Sequence, residues 1–104
     1  MVGVGYNRRK QEVAMLLEQV ASQLEILPEK LERDSLRVYL QRDLRLVESE
    51  LFTIASRYGV KTVAELDQKI QAGDFHEEDA FDDFFRLDHL EAERQKLVGL
   101  LENL

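Results

Sequence analysis

Between residues 40 and 58 apolar side chains recur at alternating spacings of four and three, and this repeat constrains the fold more than any other feature of the chain. Leu40, Leu44, Val47, Leu51, Ile54 and Tyr58 fall on one stripe of a helix with 3.6 residues per turn, but on both faces of any strand. Gly59 follows at once, the residue favoured where a helix closes in a left-handed conformation. A second stripe, Val13, Leu17, Val20, Leu24 and Leu27, has the same alternation. Asn7 is read as the N-cap of this first helix, which is expected over residues 8–27, and Pro28, the single proline, cannot continue it. Pro28 to Arg33 reads as a short helical turn, with Asp34 or Ser35 capping the long second helix over 35–58. Two adjacent helices with matched seams predict an antiparallel hairpin packed like a coiled coil.

Thr62-Val63-Ala64-Glu65 has the spacing of a capping box and predicts a short helix over 63–72, closed at Gly73. A fourth helix is expected over roughly 77–103, and its apolar face changes midway. Phe81, Phe84, Phe85 and Ala92 lie on one side, while Leu87, Leu90, Leu97, Val98, Leu101 and Leu104 lie about 150° away. Either this helix breaks near Arg86 or it packs against two neighbours. The fold class that follows is all-α: a long antiparallel helical hairpin, a short helix and a long C-terminal helix in one helical bundle. At 104 residues a single domain is expected, with residues 1–6 as a flexible lead-in. The far side of the second helix carries Tyr39, Leu46, Ser49 and Thr53, and Arg94 interrupts the leucines of the fourth. Apolar faces in excess of what three long helices bury predict a homodimer, with Tyr39, Leu46, Ser49 and Arg94 as its contact face.

Charge is distributed unevenly. Residues 74–93 hold nine Asp/Glu against one cation, Arg86, whereas the other 84 residues hold 13 Lys/Arg against 12 Asp/Glu. A net charge of −7 disfavours non-specific binding to nucleic acid or an anionic membrane. No apolar run approaches the roughly 20 residues that cross a bilayer. Arg8, Arg9 and Lys10 follow a short Gly/Val stretch without an apolar region behind them, the wrong order for a signal peptide. The chain has no cysteine, which removes disulfides and thiolate chemistry and points to the cytoplasm.

Candidate chemistry is sparse. His76, Glu78, Asp79, Asp82 and Asp83 offer oxygen and nitrogen ligands for a metal-binding alternative. They form no calcium loop and no Glu-x-x-His pair, since Arg86 stands three before His89. Acidic residues at a helix N-terminus also complement its dipole, which accounts for Glu77, Glu78 and Asp79 without a metal. Ser22, Ser35, Ser49 and Ser56 sit in helical patterns rather than on a strand-to-helix elbow. His76 and His89 read as surface residues, and Gly3-Val4-Gly5 lacks the context of a phosphate-binding loop. Arg8, Arg9 and Lys10, even with Arg33, Arg37, Arg42 and Arg45, are diluted by Glu12, Glu32 and Asp43 and read as solvated faces. No enzyme activity and no cofactor are expected.

The acidic, aromatic segment is the remaining signal. Asp79, Asp82, Asp83, Phe84, Phe85 and Asp88 are the candidates for a surface where a basic protein partner docks, with carboxylates steering and an aromatic anchoring. The competing reading puts Phe81, Phe84 and Phe85, spaced i, i+3, i+4, in the protein's own core.

Residues 44–104 resemble small all-helical proteins encoded beside toxin genes in archaea and bacteria. The resemblance rests on the long helix closed by Tyr58-Gly59-Val60, the capped helix Thr62 to Ala72, the turn at Gly73, and the run Asp79-Ala80-Phe81-Asp82-Asp83-Phe84-Phe85. It implies an antitoxin role, the neutralisation of a basic, RNase-like toxin.

Overall fold

Four helices follow one another along the chain: α1 (Val4–Leu24), α2 (Pro28–Tyr58), α3 (Val63–Gln71) and α4 (Glu77–Glu102). The computed structural model describes the backbone of residues 4–75 and 77–104, and their side chains except those of Val4, Tyr6, Glu77 and Asp79. Among the described residues there is no strand, so the fold is all-α, as the periodicities predict.

Helix boundaries depart from expectation in the first third of the chain. α1 begins at Val4, so Asn7 lies within the helix and caps nothing, and residues 4–6 of the expected lead-in are helical; residues 1–3 lie outside the described ones. No residue ahead of Asn7 is a strong enough breaker to force a start there. α1 stops at Leu24, before the expected Leu27. There Glu25 adopts φ 58°, and the amides of Glu25 and Ile26 donate back to the carbonyls of Ser22 and Ala21 at 3.2 and 3.0 Å. α2 then starts at Pro28 and runs without a break to Tyr58, so the separate turn over 28–33 does not exist. Proline's fixed φ suits a first helical position, and nothing in Glu29 to Arg33 stops a helix. Asp34, expected as a cap, instead accepts a hydrogen bond from Lys30 at 2.6 Å and lies 3.6 Å from Arg37, one turn to either side.

The other two helix ends use the expected glycines. Gly59 and Gly73 have φ of 65° and 79°, and the paired backbone bonds Gly59–Ser56 with Val60–Ala55, and Gly73–Ile70 with Asp74–Lys69, satisfy carbonyls that the helix leaves open.

Two compact units divide the chain, Met1–Val38 and Tyr39–Leu104, with the boundary inside α2. In the first unit Val13, Leu16, Leu17 and Val20 of α1 line a shallow groove together with Leu31 and Ser35 of α2. Ala21 is fully buried, and Leu17 and Leu31 are half-buried. Val13, Val20, Leu24 and Leu27, the remainder of the expected seam, stay exposed.

The second unit holds the main core. Ile54 and Ala55 of α2, Val60, Leu66 and Ile70, and Ala80, Leu87 and Leu90 of α4 form one buried cluster. Val47, Leu51, Tyr58, Val63, Phe75 and Phe84 pack around it. Leu66 and Leu87 are its largest fully buried side chains, each worth about 1.5–3 kcal/mol in transfer from water. α4 is continuous through Arg86, so the face change along it is not a break.

Candidate functional site

The first half of α4 is anchored from one side. Leu87 and Ala80 are buried in the cluster and Phe84 packs against it. With 100° per residue, Phe81 and Phe85 point away from that side, together with Glu78, Asp88 and Ala92. Phe85 is 65% exposed and Phe81 42%, and their rings stack with centroids 6.4 Å apart and planes inclined at 25°. Phe84 meets Phe85 edge-on at 5.5 Å. The two readings of these rings are therefore divided by residue: Phe84 belongs to the core, whereas Phe81 and Phe85 form an outward pair. At 100° per residue Phe84 lies about 60° around the helix from buried Leu87, whereas Phe81 lies about 120° and Phe85 about 160° from it.

The carboxylates divide in the same way. Asp83 is half-buried; it accepts the hydroxyl hydrogen bond of Tyr58 and lies 3.5 Å from Arg57 Nη1. Tyr58 in turn meets the ring of Phe75 edge-on at 4.8 Å. Asp83 thus ties α4 to the end of α2, and it is not offered to a partner. Glu78, Asp82 and Asp88 are exposed and form no ion pair among the described residues. The side chain of Asp79, and the whole of His76, lie outside the described residues.

Arg86, the lone cation of the segment, is committed elsewhere. Its Nε and Nη2 donate to Glu50 Oε1 and Oε2 at 2.8 and 2.7 Å, a two-pronged bond that fixes geometry as well as charge. The hydrogen bonds from Arg86 hold the Glu50 carboxyl below the ordinary glutamate value, with desolvation opposing and the charges of Arg86 and His89 adding. The same hydrogen bonds raise the Arg86 guanidinium above its ordinary value. With Arg86 held by Glu50 of α2, Glu78, Asp82 and Asp88 on α4 keep their charge without an ion-pair partner among the described residues. The arrangement is an apolar aromatic pair rimmed by unpaired carboxylates.

The helix ends nearby are held by side chains. Thr62 Oγ1 accepts from Glu65 N at 3.1 Å, as the capping box predicts, but Glu65 returns to Lys61 N at 3.0 Å rather than to Thr62 N. Glu91 of α4 accepts a further amide, Val63 N, at 3.1 Å. Lys69 donates to the carbonyl of Tyr58 at 2.8 Å, closing α2.

Of the expected contact face, Tyr39, Leu46, Ser49 and Arg94 are all exposed. Arg94 lines a groove of about 500 Å³ with Leu51, Phe52, Lys61, Glu91 and others, whose lining does not include Tyr39, Leu46 or Ser49. Phe52, exposed at that groove, escaped the sequence reading because it sits one position off the 4–3 stripe. The groove abuts the N-terminus of α3, where Glu91 already supplies the anion that the helix end favours. Among the described residues no three His, Cys, Asp or Glu side chains are placed to hold a metal ion, and no helix is long and apolar enough to cross a membrane.

The family described as "Uncharacterized protein MJ0235 family" matches residues 15–104. The protein described as "Uncharacterized protein MJ0235" from Methanocaldococcus jannaschii is 33% identical over 76 residues, spanning 73% of this chain and 93% of that protein. No solved structure matches.

Proposed function

The chain belongs to the Uncharacterized protein MJ0235 family, and on that premise we propose that it is a non-enzymatic protein–protein interaction module that docks a basic, amphipathic partner on the outer face of α4. The observation that carries this reading is the exposed Phe81–Phe85 stack set among Glu78, Asp82 and Asp88. Burying a fully exposed phenylalanine contributes about 1.5–3 kcal/mol, and covering the exposed parts of Phe81 and Phe85 supplies roughly the equivalent of one such ring as an anchor. Carboxylates at the rim act over longer range, raising the on-rate and excluding acidic partners. A basic RNase-type toxin, the partner implied by the antitoxin resemblance, falls in the chemical class that such a surface selects. The cysteine-free composition supports a cytoplasmic setting for the module.

The test is affinity capture on the immobilised full chain, at low and high salt, beside two variants. The expected result is a basic protein that is retained at low salt, elutes as salt rises, and is lost from both Phe85→Ala and the double variant Asp82→Asn, Asp88→Asn. Partners that bind both variants as well as the native chain would contradict the proposal.

A further inference from the structure

We propose that the first unit is a self-association surface: α1 of one copy packs antiparallel along α1 of a second copy, closing two helical hairpins into a four-helix arrangement. The proposal shares no residue with the α4 face and is independent of the docking reading. Three observations lead to it.

The first is unpartnered apolar area. Val13 and Leu16 are 67% and 60% exposed, and Val20, Leu24 and Leu27 are exposed with them. The helical residues among these share a face, and Val13, Leu16 and Val20 line a shallow groove of about 270 Å³ with Leu17, Leu31 and Ser35. Together they present on the order of 500 Å² of apolar surface, at the upper end of what monomers leave uncovered. A standard interface takes roughly 800 Å² per partner, a figure within reach once flanking polar side chains are included.

The second is net charge. Residues 1–38 hold six Lys/Arg and six Asp/Glu, whereas residues 39–104 hold eight and fifteen. A copy of the chain meets no net repulsion across the first unit, but would meet it across the second.

The third is the direction of charge along the hairpin, which selects the occupant and its orientation. Arg8, Arg9 and Lys10 lie at the N-terminal end of α1, exposed and in no ion pair among the described residues. At the turn end Glu25, Glu29 and Glu32 are likewise exposed and outside any such pair; Lys30 there is held by Asp34, which leaves Arg33 against three carboxylates. Parallel pairing would set three cations beside three cations. Antiparallel pairing sets each cationic end beside the partner's acidic turn. With Val20 at the centre of the apolar strip, Val20 faces its own copy, Leu16 faces Leu24, and Val13 faces Leu27.

Sedimentation velocity of the purified full chain at tens of micromolar tests the association. The native chain should sediment as a dimer, and Leu16→Glu with Val20→Glu as a monomer with unchanged helical circular dichroism, since both side chains are exposed. Phe85→Ala should remain dimeric. A native monomer, or a dimer that survives the double glutamate variant and is dissociated instead by Leu46→Glu, would overturn the proposal. Orientation is read by oxidation, because the chain has no cysteine to interfere. Val20→Cys should cross-link to itself, and Val13→Cys should cross-link with Leu27→Cys far more than with itself. Self-linking of Val13→Cys as readily as Val20→Cys would overturn the antiparallel arrangement.

Discussion

Adjacent residues on α4 have opposite roles, and their substitution should show it. Phe84 packs on the core and Phe85 stands out from it, so Phe84→Ala should lower stability by about 2 kcal/mol, part of the cost of a fully buried ring. Phe85→Ala should shift it by no more than about 0.5 kcal/mol. Denaturant titration of the two variants separates them. Glu25 offers the reverse case, a side chain in a left-handed position where glycine is at ease; Glu25→Gly should raise stability by about 0.5–1 kcal/mol. Glu50 gives a pH dependence. Its folded value is held down by Arg86, so its contribution is complete above the ordinary glutamate range and fades as pH falls through the lowered value. Glu50→Gln should lower stability slightly at neutral pH, where that contribution is complete, and flatten that part of the acid limb of a stability–pH profile. None of these contrasts was legible in the sequence. Arg86 and Glu50 are 36 positions apart, and the pattern around Phe84 and Phe85 is consistent with either ring being inside.

At the scale of the element, the sequence was informative wherever a helix end has its own chemistry. Gly59 and Gly73 close α2 and α3 because left-handed backbone is costly for other residues, and Thr62 opens α3 because its hydroxyl reaches a free amide. The same reasoning failed at Asn7 and Asp34, which have cap-forming side chains but sit where the chain has no cause to stop being helical. Pro28 was read correctly as a helix start, yet the helix it starts is α2 itself. A cap supplied from another element left no local trace: Glu91 reaches Val63 N from 28 residues away. Thr62→Ala should cost about 1 kcal/mol, and Glu91→Ala a similar amount. Both are measurable as lowered unfolding midpoints, and the Glu91 effect should persist when Thr62 is already replaced, because the two acceptors serve different amides.

Across the whole molecule, the excess of acidic charge lies in residues 39–104, whereas residues 1–38 are balanced. The sequence showed the acidic segment at once, but not that Arg86 and Asp83 would be drawn into internal contacts. That removal leaves Phe81 and Phe85 ringed by Glu78, Asp82 and Asp88. The exposed strip on α1 was also misjudged, since its 4–3 spacing is that of a buried seam, and periodicity reports that a face is apolar without reporting what covers it. The central claim is that α4 carries the docking face, and the most direct measurement uses a defined probe. An amphipathic helical peptide of Lys and Leu is titrated into the isotopically labelled full chain while backbone amide resonances are followed. Docking on α4 should shift resonances between residues 78 and 92, with shifts that weaken as salt rises and are abolished by Phe85→Ala. Shifts that avoid this stretch, or that persist unchanged in the Phe85→Ala chain, would contradict it.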